Sequence, residues 1–393
     1  MDSQAGIPLH KEKIWTRDFV LICISNFFIF LGFQMTLPTI PLFVEKLGGN
    51  DQLIGAVVGI FTFSALLVRP YAGHALESKG RRFVYLTGLV IFVIAVGSFG
   101  FLPTIAFLFF MRVIQGVGWG FSTTASGTIA SDIIPPKRRG EGMGYYGLSG
   151  NIALAFGPSL GLILVGIISF SQLFMICAIL GLAAFFLSSR INYKQVYLTQ
   201  QTTTKSKWDI YEKSALEPAM LLFFITVTFG GIASFLPLYT AQKGIEGIQL
   251  YFLVFALALM ASRTFAGKIY DRKGHRAVFI PGAVCIMVAM VLLAWLPNMT
   301  ILISAAILYG IGFGSVQPAL QAWAIEKSPK HRRGMATATF FSSFDLGVGI
   351  GALLFGQIGH LFGYHTIYQT SAVSVCIAII LYIILLFKQR KTV

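Results

Sequence analysis

RPYAGHALESKGRR at 69–82 and RTFAGKIYDRKGHR at 263–276 are one passage written twice. Gly73 falls on Gly267, an offset of 194 residues, and the same offset carries Gly116, Gly118 and Gly120 onto Gly310, Gly312 and Gly314. It also carries Asp132 onto Glu326 and Arg139-Gly140 onto Arg333-Gly334. Several separate landmarks at one offset indicate an internal duplication. Each copy of the passage closes a long apolar run with a basic loop, so what was duplicated is a set of membrane spans.

The composition agrees. Of 393 residues, 56% are hydrophobic and 11% charged, and the mean hydropathy is +0.77, far from the roughly 25% charged content of a soluble domain. Crossing a hydrocarbon core takes about 20 apolar helical residues. Runs of that kind are expected at 18–44, 52–75, 82–102, 104–131, 141–168, 171–189, 216–241, 248–268, 277–296, 300–325, 335–358 and 366–387. Stretches such as GLVIFVIAVG and LYIILLF are apolar on every side, whereas a β-barrel alternates. The predicted fold is an all-α integral membrane protein with twelve transmembrane helices in two pseudo-symmetric halves of six. The predicted divisions are 1–189, a polar cytosolic linker at 190–214 containing TQQTTTK, and 215–393.

A net charge of +15 would suggest nucleic acid if the basic residues clustered on one surface. Instead, 25 of the 30 Lys and Arg fall in the termini and the loops sharing their side, two (Lys46, Lys243) in the opposite loops, and three (Arg69, Arg112, Arg263) within spans. That asymmetry is the positive-inside pattern. Both termini are therefore expected in the cytosol, the chain in the plasma membrane, and no nucleic-acid partner is expected. The polar start MDSQAGIPLHKEKIWTRD does not read as a removable leader. Cys23, Cys177, Cys285 and Cys376 lie in spans without metal-ligand spacing, and no metal or cofactor is expected. No Walker loop, HExxH or Cys/His cluster is present, so neither an enzyme nor an ATP-driven pump is the reading. A scaffold would need a soluble domain larger than the linker.

The halves and their loop motif resemble the major facilitator superfamily over essentially the whole chain. The motif is matched by Gly73, Glu77, Gly80, Arg81 and Arg82, and again by Gly267, Asp271, Gly274 and Arg276. The resemblance implies that Glu77 and Asp271 latch the cytosolic face by pairing with basic residues or helix N-termini, and that parallel halves rock about a central site. Glu77 departs from the aspartate usual in the first copy. The fifth span, GYYGLSGNIALAFGPSLG, carries Gly147, Gly150, Gly157, Pro158 and Gly161, which resembles the motif of proton-coupled antiporters, with Leu162 where a last glycine would stand. Glycines at such spacing open a helix face for close packing.

Charges inside a bilayer are expensive and default to function. Arg112 lies roughly 12 Å from the outer end of its helix, with Gln115 one turn on. The resemblance associates this pair with proton coupling. A tie to carbonyls of a neighbouring helix is the alternative. Asp345 in FFSSFDLGVGIG (340–351) lies 11 residues past Gly334, roughly 16 Å deep, and the offset maps it onto Asn151. It is expected to face the space between the halves as the titrating group. Asn26, Gln34, Trp119, Gln317, Gln321 and Phe341 complete the expected substrate surface with Arg112, Gln115, Asn151 and Asp345. Glu217 is expected at a helix start, in capping-box spacing with Ser214, and Asp132 and Glu326 in pairs with nearby bases. The expected function is proton-coupled efflux of small amphipathic molecules by a monomer in the lipid bilayer. Transport of a specific anionic or zwitterionic metabolite, with Arg112 as its charge partner, is the alternative.

Overall fold

The structure, a computed structural model, describes residues 13–101, 104–135, 138–193, 211–329 and 333–391. Most of the expected linker at 190–214 falls outside these residues. The twelve helices are α1 (Arg17–Lys46), α2 (Asp51–Ser78), α3 (Arg81–Ser98), α4 (Ile105–Ile133), α5 (Arg139–Val165), α6 (Phe170–Ser189), α7 (Leu216–Gln242), α8 (Ile248–Lys273), α9 (Arg276–Ala294), α10 (Met299–Lys327), α11 (Arg333–Phe362) and α12 (Tyr364–Lys391). All twelve are long and apolar enough to cross a membrane, and each overlaps one expected span. Most run a few residues past the expected ends, because terminal turns are polar and hydropathy does not mark them.

Local chemistry fixes where several helices begin. Thr16, Asn50, Thr104 and Asn298 each place a side-chain oxygen on a backbone N–H of the first turn of α1, α2, α4 and α10, and Ser169 and Gln172 form a capping box on α6. Before α7 the expected box is not formed. Ser214 donates to Glu212 instead, at 2.7 Å, and Glu217 takes Lys327 at 2.5 Å. The acid two residues upstream wins because a 3-10 turn at Lys213–Ala215 brings it onto the Ser214 N–H. Gly80 and Gly274, related by the repeat, both sit at positive φ (+86° and +73°) between paired helices, a conformation that a Cβ penalises.

Packing repeats as the sequence does. In the first half α1 packs on α5 and α6, and α4 on α2 and α3; in the second α7 packs on α11 and α12, and α10 on α8 and α9. The halves meet along α2 with α11 and α5 with α8. These two seams exchange under the repeat.

The seams close at one end. Away from the face that carries the chain termini, a Cβ on Gly55 of α2 would lie 2.5 Å from the Ala352 carbonyl of α11, and one on Gly356 would lie 2.6 Å from the Asp51 carbonyl. The backbones touch there. Tyr364 donates to Asp51 at 2.7 Å, Gln52 to Gln357 at 2.9 Å, and Ser159 of α5 to the Gln249 carbonyl of α8 at 3.0 Å. Toward the terminal face, Gly73 and Gly267 have no atom within 4 Å of a Cβ position. Among the described residues no neighbouring helix lies against these two glycines, so the molecule is closed at the far face and parted at the terminal one.

Candidate functional site

Asp345 does sit between the halves, and it has a partner. Arg69 of α2 reaches across and donates from Nη2 to Asp345 Oδ2 at 2.5 Å, with each side chain 22% exposed. Arg69 lies nine residues from the end of α2, roughly 14 Å into the membrane from the terminal face. On the α11 side, Ser343 donates to the Ala219 carbonyl of α7 at 2.6 Å, which fixes the turn presenting Asp345. A lone carboxylate at this depth would be costly; paired with a guanidinium it is tolerable.

Arg112 does not reach that space. It is 1% exposed, donating from Nε to the Val57 carbonyl at 3.1 Å and from Nη1 to Gln115 at 2.6 Å, with its guanidinium 4.3 Å from the centre of the Phe61 ring. No carboxylate lies within ion-pair distance of it among the described residues. Of the two expectations for Arg112, the structure has the tie to a neighbouring helix: α2 supplies the carbonyl and the aromatic face, and Gln115 is consumed holding it. Trp119 (5% exposed) is likewise enclosed, stacked on Phe33 at 4.1 Å and flanked by Phe30 at 4.8 Å.

Asn26 is 2% exposed and spoken for by Ser149 at 2.9 Å and Tyr146 at 2.9 Å, a network that joins α1 to α5. Gln34 is buried against Gly157 of α5, where a Cβ would meet the Gln34 Cβ at 2.5 Å; at Gly161 a Cβ would meet the Met35 carbonyl at 2.4 Å. The α5 glycines thus serve close packing on α1, though Gly150 has only ordinary contacts. Pro158 lies within an uninterrupted helix. Asn151, Gln321 and Phe341 keep accessible surface, and Gln317 is buried against a second intramembrane arginine, Arg263, which donates to it at 2.9 Å.

At the terminal face, Arg81 is anchored by Asp132 at 3.1 Å and the Leu76 carbonyl at 2.9 Å, the pairing expected for Asp132. In the second copy His275 stands where Arg81 stands in the first. It stacks on Trp323 (4.3 Å, 9° between planes) and shares a hydrogen bond with the Tyr382 hydroxyl at 2.7 Å. Among the described residues Glu326 accepts from the Tyr270 hydroxyl at 2.8 Å and from no base, so the pair expected for it is not formed there. Arg276 is exposed. The side chains of Glu77 and Asp271 lie outside the described residues.

Two intramembrane arginines of the site, Arg69 and Arg263, had no place among the expected site residues. A signal was available: they occupy one position of the repeat, at the same depth, in the two helices that flank the opposite half.

Twelve crossing helices in two repeated bundles, with charged side chains at mid-depth on the seam between them, define a membrane transporter. The family model described as Major Facilitator Superfamily matches residues 22–338 and again 246–393, and the chain belongs to that superfamily. It is 26% identical over 359 residues to the staphylopine export protein of Staphylococcus aureus, covering 87% of this chain and 89% of that one. It is 24% identical over 385 residues to the multi-drug resistance efflux pump PmrA of Streptococcus pneumoniae, covering 93% and 95%. The crystal structure of the nucleoside transporter NupG superposes with a TM-score of 0.70 at 16% identity, covering 93% of this chain and 98% of that one, a likeness of fold alone.

Proposed function

We propose that the protein is a proton-coupled exporter of small amphipathic molecules, working by alternating access with both termini in the cytosol. The observation that carries this reading is the Arg69–Asp345 pair across the halves. Its terminal face would be the cytosolic one, as the Lys and Arg asymmetry supports, so the parted state described above is open to the cytosol.

In that state Asp345 binds Arg69. A proton arriving from outside after the halves rock would neutralise Asp345, weaken the pair and release Arg69; loss of that proton to the cytosol would draw α2 and α11 together again. Protonation then biases which face is open, which is the requirement for coupling. Asn151, Gln321 and Phe341 offer substrate contacts, while Glu77 and Asp271 would latch the cytosolic face when it closes. Arg112 and Gln115 serve as a brace between α4 and α2. Relatives that export staphylopine or confer multidrug efflux support the outward direction.

The test is rhodamine 6G efflux from proteoliposomes under an imposed pH gradient. Asp345→Asn should lose gradient-driven flux while retaining substrate exchange at zero gradient. Undiminished gradient-driven flux in that variant removes Asp345 from coupling.

A further inference from the structure

The two intramembrane arginines related by the repeat are treated unequally. Arg69 has a carboxylate from the opposite half, Asp345 on α11. Arg263 lies on α8, the helix that packs on α5 in the repeat-related seam, and the α5 position equivalent to Asp345 is Asn151. Arg263 is ten residues from the end of α8, roughly 15 Å into the membrane. Its contact is one neutral amide, Gln317, through Nη2 at 2.9 Å, and its Nε, like that of Arg69, is buried without a hydrogen-bond partner. No carboxylate among the described residues lies within ion-pair distance of it. Asp271 of the same helix is two turns away, roughly 12 Å along the axis.

A guanidinium does not shed its charge. At mid-depth it needs an anion or a wet polar surface, and an amide oxygen supplies neither charge nor the second prong of a fork. Gln317 is itself oriented, with its Nε2 toward Gln321 Oε1 at 3.5 Å, so the amide chain holds Arg263 in place and leaves the Nη1 donors uncommitted beside Nη2. Those donors match a carboxylate or a similar planar or tetrahedral anion.

We propose that Arg263, held by Gln317 and flanked by Gln321, is the subsite for an anionic group on the transported molecule. This rests on the export reading above and adds small amphipathic organic anions to the molecules exported, with Arg263 needed for these and not for cations. A bound anion completes on the α5–α8 seam the ion pair that Asp345 completes on the α2–α11 seam. Substrate and proton then act on matching places in the two halves.

The test uses two xanthene dyes of opposite charge, fluorescein and rhodamine 6G, in proteoliposomes with an imposed pH gradient. In wild type both should move. Arg263→Gln should lower the ratio of fluorescein to rhodamine flux about tenfold, through a higher KM for fluorescein, and Arg263→Lys should restore part of it. Asn151→Asp, which supplies the missing carboxylate from the protein, should likewise depress fluorescein flux by occupying Arg263. An unchanged ratio in Arg263→Gln and Asn151→Asp overturns the subsite. Transport of rhodamine 6G without fluorescein by wild type overturns it while leaving proton-driven export standing; transport of neither dye overturns the export reading as well. Each measurement is repeated in phosphatidylcholine vesicles with and without phosphatidylglycerol. If the anionic lipid alone abolishes the dependence on Arg263, the anion held there is a headgroup, and the subsite for substrate is overturned.

Discussion

Arg69 and Asp345 meet across the two halves of the molecule at 2.5 Å, with 22% of each side chain still accessible. Their contact is the one place at mid-depth where a helix of each half holds an opposite charge toward the other, among the described residues. Partial exposure weakens the attraction relative to a sealed pair. Arg69→Gln and Asp345→Asn should each destabilise the protein by roughly 1–2 kcal/mol, and the double variant by about 1 kcal/mol less than their sum. Thermal unfolding of the four proteins in one detergent gives the coupling. Strict additivity would mean that the two charges do not support one another.

Arg112 is expected to behave as a brace. Arg112→Ala strands the Val57 carbonyl and Gln115 and empties the space over Phe61, so a loss of about 2–4 kcal/mol follows. Any protein that survives should keep its wild-type ratio of fluorescein to rhodamine 6G transport. A selective loss of one dye at unchanged thermal stability would return Arg112 to the substrate site.

Closure of the far face can be caught chemically. Gln52 and Gln357, hydrogen-bonded across the seam at 2.9 Å, should crosslink with a short bifunctional reagent when both are changed to Cys. Flux should stop on crosslinking and recover when the link is cleaved. Undisturbed transport through the crosslinked protein would show that this seam never parts.

His275 gives a pH signature independent of transport. Burial, reinforced by Arg276 and Lys327 and partly offset by Glu326, holds its imidazole below the ordinary value of 6.5. The unfolded chain therefore binds this proton at higher pH than the folded one does. Its contribution is intact above about pH 6.5 and declines as the pH falls through that value toward the lower folded one. The thermal midpoint of wild type should drop more between pH 7.5 and pH 5 than that of His275→Gln. Parallel curves would remove His275 as the cause.

Much of this architecture was readable from the chain because bilayer thickness and helical rise constrain each span, and because the 194-residue offset exposes the duplication. Depth was readable for the same reason, which is why Asp345 stood out. Its partner was not, since Arg69 lies 276 residues away and only assembly of the halves brings them together. Arg112 was equally conspicuous by depth, yet depth cannot tell a seam from an interior; the Val57 carbonyl that encloses it belongs to another helix. At α7 the capping-box spacing of Ser214 and Glu217 was a local pattern overridden by a nearer acid, Glu212. Local rules located the expensive groups, and packing decided what compensates each of them.

The contact of Gly55 with Ala352 and of Gly356 with Asp51 bears on how easily the far face can open. At these two points main chain lies against main chain, and neither Gly55 nor Gly356 has a side chain to withdraw as α2 and α11 part. Each methylene absent from such a contact removes about 0.8 kcal/mol of apolar burial that separation would otherwise have to reverse. Parting the far face there is a matter of moving two backbones apart, with the Tyr364–Asp51 and Gln52–Gln357 hydrogen bonds as the polar contacts that must break.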